Sequence, residues 1–174
     1  MRPVYRVRQF GEYLGARLGP AQMHLAERRL GPALARLFHR MTQAEQAHAY
    51  RVMAAIESRG VTEPDVLVAA LLHDVGKSRS PLRLWGRAAV VLGRKFAPAL
   101  AERWGRDGAS ANGLRRAFLT AWQHAAWGAE MAERAGATAR TVTLIRRHQT
   151  PPPTPPRSEE DRLLAALRQA DEEN

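Results

Sequence analysis

The chain has 174 residues, 45% of them hydrophobic, and 27 Lys+Arg against 17 Asp+Glu give a net charge of +10. That length supports one domain with a buried core, and no apolar run approaches the roughly 20 residues that cross a bilayer. Cysteine is absent, which excludes disulfides and thiolate zinc sites.

The start, "MRPVYRVRQFGEYLG", has no apolar leader core, so a cytoplasmic location is expected. Beyond it the sequence reads as helices throughout, without the apolar/polar alternation of strands. "AQMHLAERRL" and "ALARLFHRM" are two short helices broken at Gly31-Pro32. Thr42 opens the next helix with Glu45 three residues on, a capping box, and Gly60 ends it. "TEPDVLVAALLHD" begins at Thr62 with a proline in its first turn. A long amphipathic stretch from Ser80 is expected to kink at Pro98, and "GASANGL" to be a loop. "RRAFLTAWQHAAWGAEMAERAG" and "ATARTVTLIRRHQ" are two further helices. "TPPPTPP" is a stiff extended link. The last helix starts after Ser158, with acids in its first turn. The expected fold is an all-α bundle of about seven to nine helices with no substantial sheet.

Positive charge is unevenly spread. Only Lys77 and Lys95 are lysines, so arginine carries nearly all of it. Residues 79–116 hold nine basic side chains against Glu102 and Asp107, a net charge of +7. A codon bias toward arginine would spread the charge more evenly. An anionic partner is the functional reading: phosphate, nucleic acid or a membrane surface.

Four of the six histidines fall on apolar helical faces. His48 shares a face with Ala44, Val52 and Ala55, and His73-Asp74 ends the following helix. His124 has Gly128 one turn on, which allows close approach to a neighbouring element. His148 extends the face of Leu144 and Ile145, and Asp171 continues the stripe of Leu164 and Leu167. One buried histidine is an ordinary core residue. Six polar groups on five inward faces need a joint explanation, because burying each without a partner costs a few kcal/mol. Metal coordination supplies one, and six ligands exceed one tetrahedral zinc and suit two divalent ions. Four imidazoles and two carboxylates without sulfur point to Fe or Mn first, with Zn, Co and Ni compatible.

The order His48, His73-Asp74, His124, His148, Asp171 resembles the HD superfamily of metal-dependent phosphohydrolases, and "HDVGK" resembles its HD-x-G-K core. The two extra histidines resemble its two-metal subset. Ala125 stands where family members often have a proline after the third histidine, and the segment between Asp74 and His124 is longer than in compact members. The resemblance implies an HD domain over 42–174 with an arginine-rich insertion near 79–116. Residues 1–41, outside the motif, are read as a helical extension that either caps the bundle or makes a homodimer contact, two roles that the sequence fits equally. It implies that His48, His73, Asp74 and Asp171 hold one metal, and that Asp74, His124 and His148 hold the second. A hydroxide between the ions would attack a phosphomonoester or phosphodiester. Lys77, next to catalytic Asp74, would reach a phosphate oxygen, and Arg79, Arg146 and Arg147 are candidate substrate contacts. Helical geometry directs Arg146 and Arg147 differently from His148, so at most one of them is expected near the metals.

The expected partner is a phosphorylated small molecule, a nucleotide among the candidates. Nucleic acid is less favoured, and no membrane span is expected. Two other readings keep the same site: a di-iron oxygenase, and a non-catalytic, metal-stabilised module that binds a nucleotide or nucleic acid. His24 and His39 are read as surface or packing histidines. Trp85, Trp104, Trp122 and Trp127 are read as packing residues.

Overall fold

A computed structural model describes residues 17–80, 84–106 and 113–174. Expectations for residues 1–16, for most of the loop at 108–114, and for the side chains of Arg83, Trp85 and Arg87 lie outside the described residues. Among the described residues there are eight α-helices and no strand. They are α1 (Pro20–Phe38), α2 (Gln43–Ser58), α3 (Pro64–Leu72), α4 (Leu84–Phe96), α5 (Pro98–Arg106), α6 (Leu114–Arg134), α7 (Ala139–Arg147) and α8 (Glu159–Glu173). A 3₁₀ turn, Val75–Arg79, follows α3.

The local signals act as expected at most boundaries. Gly31 breaks α1 with φ 67° ahead of Pro32, a conformation that glycine adopts without steric cost. Thr42 accepts from the Glu45 amide, and the Glu45 side chain accepts from the Thr42 amide. Ser158 caps α8 through the Asp161 amide. Proline corrects two boundaries. The residue before a proline is driven out of the helical region, so α3 is capped by Glu63 rather than Thr62. By the same clash, the chain breaks at Ala97 into α4 and α5, in place of one kinked helix.

Helix α3 is the axis of the molecule. Val66, Leu67, Ala69, Ala70, Leu71 and Leu72 are all buried, so this helix is apolar on every side and needs neighbours all round. Helices α1, α2, α7 and α8 supply them. Ala26, Leu30 and Phe38 of α1 enter the same core as Met53 and Ile56 of α2, Leu144 and Ile145 of α7, and Leu164 and Leu167 of α8. Helices α4 and α5 form a separate small core against α6, from Val90, Ala101, Ala117 and Phe118.

The chain leaves α3 through His73, Asp74 and the 3₁₀ turn, which packs on α6 backbone to backbone. A Cβ at Gly76 would overlap the His124 carbonyl oxygen and lie 2.7 Å from the Gly128 amide nitrogen. The close approach expected at Gly128 is therefore present, and its partner is Gly76. We expect Gly76→Ala to destabilise the protein by about 2 kcal/mol or more, since neither backbone can yield as a flexible side chain would. Urea denaturation measures this; a loss within about 0.5 kcal/mol, the range of a neutral surface change, would refute the contact's importance.

Candidate metal centre

Five helices bring the six polar groups together. His48 comes from the middle of α2, His124 from the middle of α6 and Asp171 from the last turn of α8, while His73 and His148 are the C-terminal caps of α3 and α7. Successive imidazole centroids are 5.4 Å apart for His48–His73, 5.3 Å for His73–His148 and 5.2 Å for His124–His148. Asp74 lies among them, with Oδ1 at 3.3 Å from His124 Nε2 and Oδ2 at 3.6 Å from His73 Nε2. Asp171 Oδ1 accepts from His48 Nε2 at 2.9 Å and stands 3.5 Å from His73 Nε2. His148 is buried, and Asp171, with its side chain 34% exposed, turns Oδ1 to His48 and His73.

Backbone carbonyls orient three of the rings. His73 Nδ1–H donates to Ala70 O at 2.8 Å, His124 Nδ1–H to Thr120 O at 3.0 Å, and His148 Nδ1–H to Ile145 O at 2.7 Å. Each bond fixes the tautomer and turns Nε2 toward the centre, the arrangement of a metal-ligating histidine. Two of those carbonyls belong to last helical turns, so the negative ends of α3 and α7 also face the cluster and favour a cation there.

The electrostatics of the cluster favour ionised carboxylates beside positive charge. Burial works against the charged form of His73, but the carboxylates of Asp74 and Asp171 outweigh it and raise the imidazole to about 9. Burial also opposes ionisation of Asp74, yet the charges of Lys77 and His73 hold it well below the usual carboxylate range. Asp171 is likewise held low, its bond to His48 and the nearby His73 ring outweighing burial. His148 is pushed down to about 3 by burial and by its neighbouring imidazoles, so its lone pair stays available.

The donor set fits divalent cations. His73 Nε2 is buried without a hydrogen-bond partner, and its 3.5–3.6 Å separations from the two carboxylates exceed a hydrogen bond. Donor atoms on one cation at about 2.0–2.2 Å lie roughly 3.0–3.4 Å apart, close to what is seen. Two triads meet the spatial condition for holding an ion: His48, His73 and Asp74, and Asp74, His124 and His148. Asp74 is common to both.

The cluster floors a cavity of about 300 Å³ lined also by Lys77, Arg94, Gln149, Arg168 and Glu172. Of the individual substrate contacts expected from the sequence, Lys77 lines it, its ammonium paired with Asp74, and the basic stretch 79–116 contributes Arg94. Arg79 lies over Trp127 and near Glu130. Arg147 pairs with Glu160 and Asp161 at the start of α8. Arg146 lines an adjoining cavity of about 380 Å³ with Trp122, Ala125, Ala126 and Thr150; Arg94 and Gln149 line both. Sequence reasoning missed Arg168 and Gln149 as lining residues. Arg168 lies one turn before Asp171, and that i, i+3 spacing was a usable signal. His24 and His39 are exposed, as expected.

Fold and site together define an all-α bundle built around a buried His/Asp cluster able to hold divalent metal. The model of the HD domain matches residues 46–172, and the chain belongs to the HD-domain family. No curated protein and no solved structure matches the chain.

The titrations give a signed expectation for the metal-free protein. His73 is raised above its unfolded value, so its contribution to stability is complete below about pH 6.5 and is lost as pH rises through about 9. Asp74 and Asp171 are depressed, so theirs is complete above about pH 4 and is lost as pH falls further. Calorimetry in chelator should show Tm falling on the alkaline side. Saturating Mn²⁺ should flatten that fall, because a coordinated imidazole carries no proton on the ligating nitrogen. An alkaline limb identical with and without metal would refute it.

Proposed function

We propose that the protein is a metal-dependent phosphohydrolase acting on a small phosphorylated molecule. The observation that carries this reading is the position of Asp74, shared by two ligand triads at the floor of a cationic cavity. His48, His73, Asp74 and Asp171 would hold one cation; Asp74, His124 and His148 would hold the other. Bound there, the cations would supply Lewis acidity toward a phosphoryl oxygen and toward the attacking water. The donor set favours Fe or Mn.

The remaining roles belong to the chain. The carbonyl-anchored imidazoles keep their geometry as charge develops, so little reorganisation is needed. Lys77 from the 3₁₀ turn and Arg94 from α4, both lining the cavity, would offer donors for phosphoryl oxygens. Arg168 is braced by the Gln149 carbonyl and Glu172, which orients its guanidinium at the rim. Arg146, which lines the adjoining cavity, would contact the leaving group rather than the scissile phosphate. A volume of about 300 Å³ suits a small ligand, at the lower end of the usual range.

The test couples metal analysis to phosphate release from a panel of phosphomonoesters and phosphodiesters with Mn²⁺, Fe²⁺ or Co²⁺ present. Asp74→Asn should lose most of the bound metal and lower kcat/KM at least ~100-fold. Arg168→Ala should retain the metal and raise KM. A metal-loaded protein that hydrolyses no phosphate ester, or an Asp74→Asn variant that keeps full turnover, would refute the assignment.

A further inference from the structure

The described residues expose six large hydrophobic side chains, and all six lie between positions 91 and 122: Val91, Leu92, Phe96, Leu100, Leu114 and Trp122. Four of them belong to the α4–α5 hairpin. Val91 is 66% exposed, Leu92 55% and Phe96 72%. With exposed Ala88 and Lys95 they form one continuous stripe along α4 at helical spacing. The opposite side of α4 is already satisfied, since Val90 is buried in the small core and Gly93 is close-packed against the Phe118 ring. The stripe is therefore a second apolar face, directed outward.

Cations accompany it. Lys95 lies in the stripe itself, and Arg103 and Arg106 are exposed on α5, whereas Arg94 turns to the metal cavity and donates to the Ala121 carbonyl. The Lys95 ammonium lies 5.2 Å from the Phe96 ring centroid, covering one side of the aromatic stem. From α4 to α5 the only acid is Glu102, and it pairs with Arg106.

We infer that the outer face of the α4–α5 hairpin docks on an anionic lipid bilayer. An apolar stripe that carries a cation, on a segment of net positive charge, is what such a surface satisfies, with Leu92 and Phe96 entering the acyl boundary and Lys95 meeting headgroup phosphates. The other occupants satisfy only one part. A second copy of the chain across a two-fold axis would bring two faces of the same positive charge together. Nucleic acid would take the arginines and leave Val91, Leu92 and Phe96 in water.

The test is co-sedimentation of the full chain with phosphatidylcholine vesicles, with and without phosphatidylglycerol, across a salt series. Binding should require phosphatidylglycerol and weaken as salt rises. A Leu92→Ser/Phe96→Ser variant should bind roughly tenfold more weakly or worse, while its metal content and Tm match the parent's. Because both side chains are exposed and outside the metal cavity, loss of binding cannot be put down to unfolding or to loss of the centre. The idea is overturned by equal pelleting on neutral vesicles, by no pelleting on either, or by a variant that binds as the parent does. It is equally overturned if sedimentation velocity finds a dimer that the double substitution dissolves, or if DNA binds with an affinity that the substitution leaves unchanged.

Discussion

A buried carboxylate that must face cations organises this molecule. Asp74 is 4% exposed and sits at the end of α3, whose own apolar burial places it near the middle of the bundle. A carboxylate there pays heavily for lost hydration unless positive charge is close. Three groups answer it directly: His73 and His124 from two sides, and Lys77 from the 3₁₀ turn. The helices that supply the core also supply these partners, so the packing of α3 and the construction of the centre are one problem.

The precision of the centre comes from backbone. Imidazole rings held by a carbonyl three or four residues earlier cannot swing without breaking a buried hydrogen bond, and leaving that carbonyl unsatisfied costs about 1–3 kcal/mol. His73 and His148 are anchored this way by the last turns of α3 and α7, carbonyls that would otherwise lack partners. Gly76 fixes the remaining degree of freedom. Its contact with His124 and Gly128 sets how far α6 stands from α3, and with it the His124–Asp74 separation. The glycine of "HDVGK" thus acts at a distance from chemistry, by letting two backbones touch.

How much of this was legible in the sequence depended on which physical rule governed each residue. Helical periodicity places a side chain on an inward face, and that sufficed to group His48, His73, Asp74, His124, His148 and Asp171. Proline and glycine rules located the breaks at Gly31 and near Pro98, although the α-region clash before proline made the second a full break at Ala97. Long charged side chains were less readable. Arg147 follows the acids of the next helix and Arg79 an indole, and neither partner is near in sequence. Arg94 and Arg168 reach the cavity because α4 and α8 happen to flank its mouth. Trp104 packs on Phe118 as expected of a core aromatic; Trp122 stays 39% exposed with Arg106 over its ring. Composition alone could not separate these two tryptophans, because exposure is decided by which side of α6 the insertion covers.

Helix α4 joins the centre to the outer surface. Its inner side meets α6 through Gly93 against Phe118, its edge carries Arg94 into the cavity, and its outer side carries Val91, Leu92 and Phe96. The core beneath it is small, Val90, Ala101, Ala117 and Phe118 with Trp104 beside them, so it contributes far less burial than the core around α3. A helix this lightly anchored sits where its neighbours on both faces put it. A partner docked on the outer face would therefore bear on the position of Arg94 and on the mouth of the cavity. Exposing three large apolar side chains is unfavourable for an isolated protein. In a helix that also lines the site, that exposure makes physical sense if contact at the outer surface and binding in the cavity act on the same element.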